Sequence, residues 1–271
     1  MSQQSNERSD METSPAPWIS ALRHSHDRLR AAVEPLDVGQ LEQLSYASEW
    51  SIAQVLSHLG SQAEIFGLLL DAGLSGQDPP GPEAFPPIWD VWNAKSPRAQ
   101  AADALRADQA TLERFESLDA DEQARLHLNM FGMELGASGL ARMRLGEHAL
   151  HTWDVAVALD PAATVAPDAV ALLLDTLDQL VSRTAKPDGE QRKIRVSTSD
   201  PDRQFTLETG ETVTLAASDD ETVPELGLSE LRLPAEAFVR LVYGRLDPGH
   251  TPPAEATGVD LDELRPIFPG F

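Results

Sequence analysis

The sequence predicts a two-domain protein of the α plus α/β kind, with a four-helix bundle over residues 17–163 followed by a smaller α+β domain over residues 164–271. Three observations predict it. Apolar residues recur at helical spacing through roughly the first 160 positions, and the pattern then changes to the alternation of strands. Prolines and a shift in composition separate the two regimes after Asp160. At 271 residues and 41% hydrophobic content, the chain has ample material for buried cores.

Residues 1–16 are polar and lack an apolar core segment, so they are expected to form a disordered tail and not a signal peptide. The first helix runs from Pro17 to about Val33, with Trp18, Ile19, Leu22, Leu29 and Val33 on its apolar side and Pro17 suited to a first turn. A second starts at Ser51, whose hydroxyl forms a Ser-x-x-Gln capping box with Gln54. Ile52, Val55, Leu59, Ala63, Phe66 and Leu70 make its apolar face, and His58 sits beside that face. Gln77 to Pro82 is too rich in proline and glycine for a helix and is expected to be a loop that could cover a site. Ser96-Pro97 opens a third helix through Leu105, Leu112 and Phe115, and a fourth runs from about Ser138 to Leu159. A fifth is expected around Val170–Val181. Ile194–Ser197, Phe205–Leu207 and Val213–Leu215 read as strands, with Asp-Pro and Thr-Gly-Glu turns between them. A last helix, Pro234–Tyr243, stops at Gly244.

Forty-four acidic against 21 basic residues give a formal charge of −23, a field that repels phosphate backbones and anionic lipid. Nucleic acid is not an expected partner. No apolar run reaches the roughly 20 residues of a membrane-spanning helix, so no membrane association is expected, and the cytoplasm is the simplest location. The chain has no cysteine. Thiolate metal ligands, disulfides and a cysteine nucleophile are thereby excluded, and any thiol chemistry must use a sulfur from a small molecule.

Glu147 and His151 lie four residues apart, on one face of the fourth helix, a spacing at which two side chains can grip one ion. His58, from the second helix, could add a third ligand and leave a coordination position open, where catalytic zinc works. Arg144, Glu147, His151 and Asp154 form one continuous stripe. Such a stripe is ordinarily the solvated side of a helix. Against that, Leu140, Met143, Leu150 and Val157 flank it closely, and a buried Glu147 without a partner would cost several kcal/mol that a divalent cation removes. His148 is a competing ligand, although it points about 100° away from Glu147. Taken alone, His58 also fits a hydrogen-bonded histidine at the edge of a core. His24, His26, His127 and His250 have no partner at metal-binding spacing and read as surface residues. Nucleophilic-serine, phosphate-loop and dinucleotide fingerprints are absent.

Three segments in order, Trp50–Leu59, Gly146–Asp154 with its Glu-x-x-x-His-x-Trp-Asp pattern, and Leu233–Phe238 through Tyr243-Gly244-Arg245-Leu246 to the terminal Ile267–Phe271, resemble the mycothiol-dependent maleylpyruvate isomerase family. The resemblance implies a DinB-like bundle followed by a domain similar to sterol carrier proteins. It also implies that His58, Glu147 and His151 hold a divalent metal, zinc in that family, whose open position takes the sulfur of mycothiol, the small thiol of actinobacteria. Reaction would then be cis–trans isomerisation of a small electrophile by thiolate addition and elimination. Arg245, in Tyr-Gly-Arg, is implied to steady the negative charge that develops on the substrate; ending the preceding helix by binding its last carbonyls is its structural alternative. Arg144 has two readings, a clamp for a substrate anion and an ion pair with Glu147. Two further functions remain open: mycothiol S-transfer to an electrophile, and a non-catalytic metal-binding regulatory protein, against which the intact ligand residues argue.

Overall fold

The structure, a computed structural model, describes residues 14–47, 49–130, 132–218 and 229–270. The expected disordered tail therefore lies, through residue 13, outside the described residues. The chain divides into two compact units, Met1–Ala169 and Val170–Phe271.

Four long helices build the first unit. Helix α1 (Ala16–Val33) carries Pro17 in its first turn, where a missing N–H costs nothing. After the single turn α2 (Val38–Leu41), α3 (Ile52–Ser75) begins with the expected capping box: Ser51 N–H donates to Gln54 Oε1 at 2.8 Å and Gln54 N–H donates to Ser51 Oγ at 3.2 Å. Next come α4 (Pro86–Asn93), α5 (Pro97–Glu116) capped by Ser96, the short α6 (Ala120–Arg125), and α7 (Ala137–Leu159). Helix α1 packs on α7, and α3 packs on α5, α4 and α7. Their shared core joins Leu29 and Val33 of α1 to Ile52, Val55, Leu56 and Leu59 of α3 and to Val155 of α7.

Helix α7 is buried on nearly every side, from Leu140 and Leu145 to Trp153 and Val155, which explains why it has no clean polar face in sequence. Arg144, His151 and Asp154 of the stripe accordingly face protein, and Glu147 is half-buried. Besides the short α2 and α6, two further elements of this unit were not expected. Helix α4 follows the Gly-Pro loop directly, its two leading prolines sitting where a helix tolerates them. A hairpin, β1 (Leu128–Met130) with β2 (Met133–Leu135), occupies the stretch after His127.

In the second unit α8 (Pro167–Leu174), which enters from the first, and α9 (Leu177–Thr184) replace the single expected helix, the break falling at Asp175-Thr176. Five strands form one sheet in the order β5-β4-β3-β6-β7: β3 (Arg192–Ser199), β4 (Arg203–Thr209), β5 (Thr214–Ala217), β6 (Ser229–Pro234) and β7 (Glu255–Thr257). All neighbours are antiparallel except β3 and β6, which run parallel. Alternation along β3 and β6 buries Ile194, Val196, Leu231 and Leu233 together with Phe238 and Leu241 of α10 (Ala235–Val242). Gly244, at φ +71°, ends that helix; a Cβ there would stand 2.5 Å from the backbone nitrogen of Gly270, so only glycine fits. A single turn, α11 (Leu261–Leu264), comes near the end of the chain.

Candidate metal centre

Helices α3 and α7 face each other at the level of His58 and Glu147. His58 Nε2 lies 3.3 Å from Glu147 Oε2, and His151 Nε2 lies 3.7 Å from the same oxygen. Nitrogen and oxygen atoms of the three residues all fall within 4.8 Å of one another. Ligand atoms about 2.0–2.1 Å from a tetrahedral zinc stand about 3.3 Å apart, so the separations suit a cation placed among them. Two imidazoles and one carboxylate are also the donor set that borderline divalent metals take. The donor set and its separations fit a divalent cation.

Surrounding residues fix the ligands. Asp154, one turn along α7 and fully buried, accepts from His151 Nδ1–H at 2.8 Å. Because an ionised carboxylate can only accept, the proton must sit on Nδ1, which leaves the Nε2 lone pair facing Glu147 and any cation there. Trp50 covers the centre, its ring centroid 5.3 Å from that of His58 and 6.3 Å from that of His151. A tight turn before α3 holds it: Trp50 N–H donates to Ala47 O at 2.7 Å, and its own carbonyl accepts from Ser45 N and Oγ at 2.9 Å. Both residues lie in the segments singled out in sequence, but spacing alone assigned them no part.

Arg144 leaves the stripe and, with His148, joins a second cluster around Asp108 of α5. Arg144 is fully buried and donates from Nη2 to Asp108 Oδ1 of α5 at 2.7 Å and to the Leu59 carbonyl at 3.1 Å. It makes no pair with Glu147, contrary to the i,i+3 reading, because the helix turns its side chain toward α5. Nor can its buried guanidinium clamp a substrate anion from solvent. His148 Nε2 stands 2.8 Å from Asp108 Oδ2, and its Nδ1 is 2.8 Å from Ser25 Oγ, so His148 belongs to this cluster and not to the His58–Glu147–His151 set.

His26, expected at the surface, is buried here as well, donating from Nδ1 to Asp108 Oδ2 at 2.6 Å. Burial opposes the ionised Asp108, yet His148 and Arg144 beside it prevail and hold its carboxyl well below the usual carboxylate range. Burial also pushes His148 down, against the pull of Asp108. Geometrically His26, Asp108 and His148 could also surround an ion. The Arg144 guanidinium already neutralises Asp108, so the cluster is charge-balanced as a structural network, although Arg144 Nε and Nη1, and His148 Nε2 in spite of its closeness to Asp108, are buried without a hydrogen-bond partner among the described residues. His24 and His127 are exposed as expected, and His250 is half-buried.

Beside His58 opens a cavity of about 510 Å³ lined by Trp50, Gln54, Ser61, Trp89, Asn93 and Gln100. It lies within the size range of small-molecule sites. Helix α4 provides Trp89 and Asn93, so an element that the sequence did not predict forms one wall.

Arg245, described within its own unit, is buried and donates from Nη1 to the Tyr243 carbonyl at 2.9 Å, a contact of the helix-ending kind. Its backbone N–H bonds Arg240 O at 2.7 Å.

A helical bundle that sets two histidines and a glutamate around one point, under a tryptophan and beside a cavity, defines a class of candidate metal-centre proteins. Residues 22–156 match the model of the mycothiol maleylpyruvate isomerase N-terminal domain, and through this unit the chain belongs to that family. Two solved structures, the mycothiol-dependent maleylpyruvate isomerase and a histidine-to-alanine mutant of it, each align with a TM-score of 0.63 at 14% identity over 86% of this chain and 90% of theirs. At that identity the likeness establishes the two-domain fold. Among curated proteins there is no match. Among the described residues no helix is long and apolar enough to cross a membrane.

Proposed function

We propose that this chain is a metal-dependent enzyme that borrows its nucleophile from mycothiol and acts on a small unsaturated carbonyl compound. One observation carries the reading: three ligand side chains from two helices converge on one point in a chain without cysteine. Family membership and the fold support the thiol partner. Zinc, the metal this donor set suits, supplies thiolate at neutral pH by lowering the pKa of a coordinated thiol, as it does for water.

The chain's own residues have separate tasks. Glu147, His151 and His58 would hold the cation, while Asp154 would keep His151 in the ligating tautomer. Trp50 shields the centre from bulk water, which strengthens the electrostatic interactions inside it. The indole and amide groups of the cavity hold the electrophile with its double bond toward the centre. In the reference activity the thiol would supply a nucleophile for reversible addition to the conjugated alkene, chemistry that permits cis–trans isomerisation. Arg245 enters this reading, through the resemblance, as a stabiliser of the negative charge that addition places on the substrate; its bond to the Tyr243 carbonyl supports a helix-ending role as well. Transfer of the thiol, with hydrogen delivered to the neighbouring carbon, stops after the addition. The lining of the cavity includes no lysine or arginine, which favours this second reading over a dicarboxylate substrate.

Purified protein is expected to hold about one equivalent of divalent metal per chain, and the double variant Glu147→Ala, His151→Ala none. Turnover of an enone is expected to require added mycothiol. Unchanged metal content in the variant sinks the ligand assignment, and equal turnover without thiol makes the chain a hydrolase.

A further inference from the structure

The cavity beside His58 is walled by two indoles, Trp50 and Trp89, and floored by neutral polar side chains, with no lysine or arginine in its lining. Two cations of the same unit, Lys95 and Arg144, are committed elsewhere. Lys95, just past α4, pairs with Asp103 at 3.0 Å and lies 3.4 Å over the Trp92 ring. Arg144 is sealed against Asp108. A dianion entering this space would lose its hydration and meet no lysine or arginine, and the charge of a divalent cation held by His58, Glu147 and His151 would be offset by Glu147 and a bound thiolate, inside a chain of net charge −23.

What the cavity does offer is directional. Gln54 Oε1 is taken by the Ser51 N–H of the capping box, and Asn93 Oδ1 by the Ser57 hydroxyl at 3.0 Å. Each amide is therefore left with its NH2 as the donor group, and an uncharged NH2 matches a neutral carbonyl oxygen. Indole faces match a flat conjugated system.

From these observations we infer that the electrophile of this site is an uncharged, planar, carbonyl-bearing alkene such as a quinone or an enone ester, and not a dicarboxylate. The inference rests on the thiol-enzyme reading for what happens to that ligand, but the ligand class itself is a property of the cavity and can be measured without turnover.

A matched pair tests it. Dimethyl maleate and maleate share one double bond and differ in charge; each is offered to the metal-loaded full chain with mycothiol, and kcat/KM is divided by the rate of the thiol reaction without protein. The diester is expected to be preferred by at least about 100-fold, the discrimination typical when a polar group finds no partner in a site. Binding is read separately by calorimetry with 1,4-naphthoquinone and with maleate, without thiol; the lack of cysteine removes the usual side reaction of quinones with protein. Trp89→Arg, at an exposed position that tolerates the change in folding, is expected to narrow the preference at least about 10-fold. Selective quinone binding without turnover of either ester or acid upholds the ligand class and overturns the thiol-enzyme reading. Equal or tighter binding of maleate, or its equal turnover, overturns the ligand class.

Discussion

Asp108 shows how much a single buried side chain decides in this bundle. It meets Arg144, His26 and His148 at 2.6–2.8 Å with almost no exposure, so each partner depends on its charge. Asp108→Ala would leave the Arg144 guanidinium buried and unpaired, and a loss of about 3–5 kcal/mol in urea unfolding at pH 7 is expected. The pH dependence has a definite sign. The folded carboxyl titrates well below its ordinary value of 3.8, so above 3.8 its stabilisation is fully present. As pH falls below 3.8, the unfolded chain takes up a proton that the folded chain refuses, and stability drops toward the folded pKa. Asp108→Asn is expected to be less stable at neutral pH and to flatten this slope by about 1.4 kcal/mol per pH unit; an unchanged slope would show that other carboxylates set the acid limit. Asp154 makes the complementary case at the metal centre. Asp154→Asn removes the charge that holds His151 Nδ1–H, and metal affinity by competition with a chelator should fall about 10- to 100-fold.

At the scale of elements, the placing of α4 against α3 forms the cavity, and it depends on one glycine. A Cβ at Gly60 would stand 2.2 Å from the Trp92 ring, which also donates from Nε1 to Glu64 at 2.8 Å. Gly60→Ala must therefore push Trp92, and α4 with it, and is expected to cost about 1–3 kcal/mol and to weaken naphthoquinone binding measured in parallel; unaltered stability would mean that α4 shifts freely. Much of this arrangement was legible in sequence. Ser51 with Gln54, Pro17 and Gly244 mark helix ends by local chemistry, and Glu147 with His151 declare a shared face by spacing. Helix α4 was hidden because its eight residues follow a proline-rich loop and offer little more than two turns of periodicity. The Asp108 network was hidden for another reason: His26, Asp108 and His148 come from three helices, and spacing reports only partners on one element. Arg144 was misplaced on the same account, since an i,i+3 neighbour is visible in sequence and a residue on α5 is not. In the second unit β3 and β4 were legible from alternation, whereas β7, three residues all exposed, carries no apolar signal.

Over the whole molecule, charge and site act together on the approach of the substrate. A chain with 44 acidic and 21 basic residues carries a net field that repels anions, and the lining of the cavity adds no lysine or arginine to reverse it. Salt shortens the reach of that field, from a Debye length of about 30 Å at 0.01 M to about 8 Å at 0.15 M. The kcat/KM of an anionic probe such as maleate should therefore rise as salt is added, by about 10-fold across that range, while that of dimethyl maleate stays level. The comparison separates approach from chemistry, because both probes present the same alkene to the same centre and specific effects of salt on the metal would move the two together. A maleate rate that falls with salt would instead reveal a cationic path to the centre, and Arg245, the arginine implied by the resemblance, would be the first residue to replace in locating it.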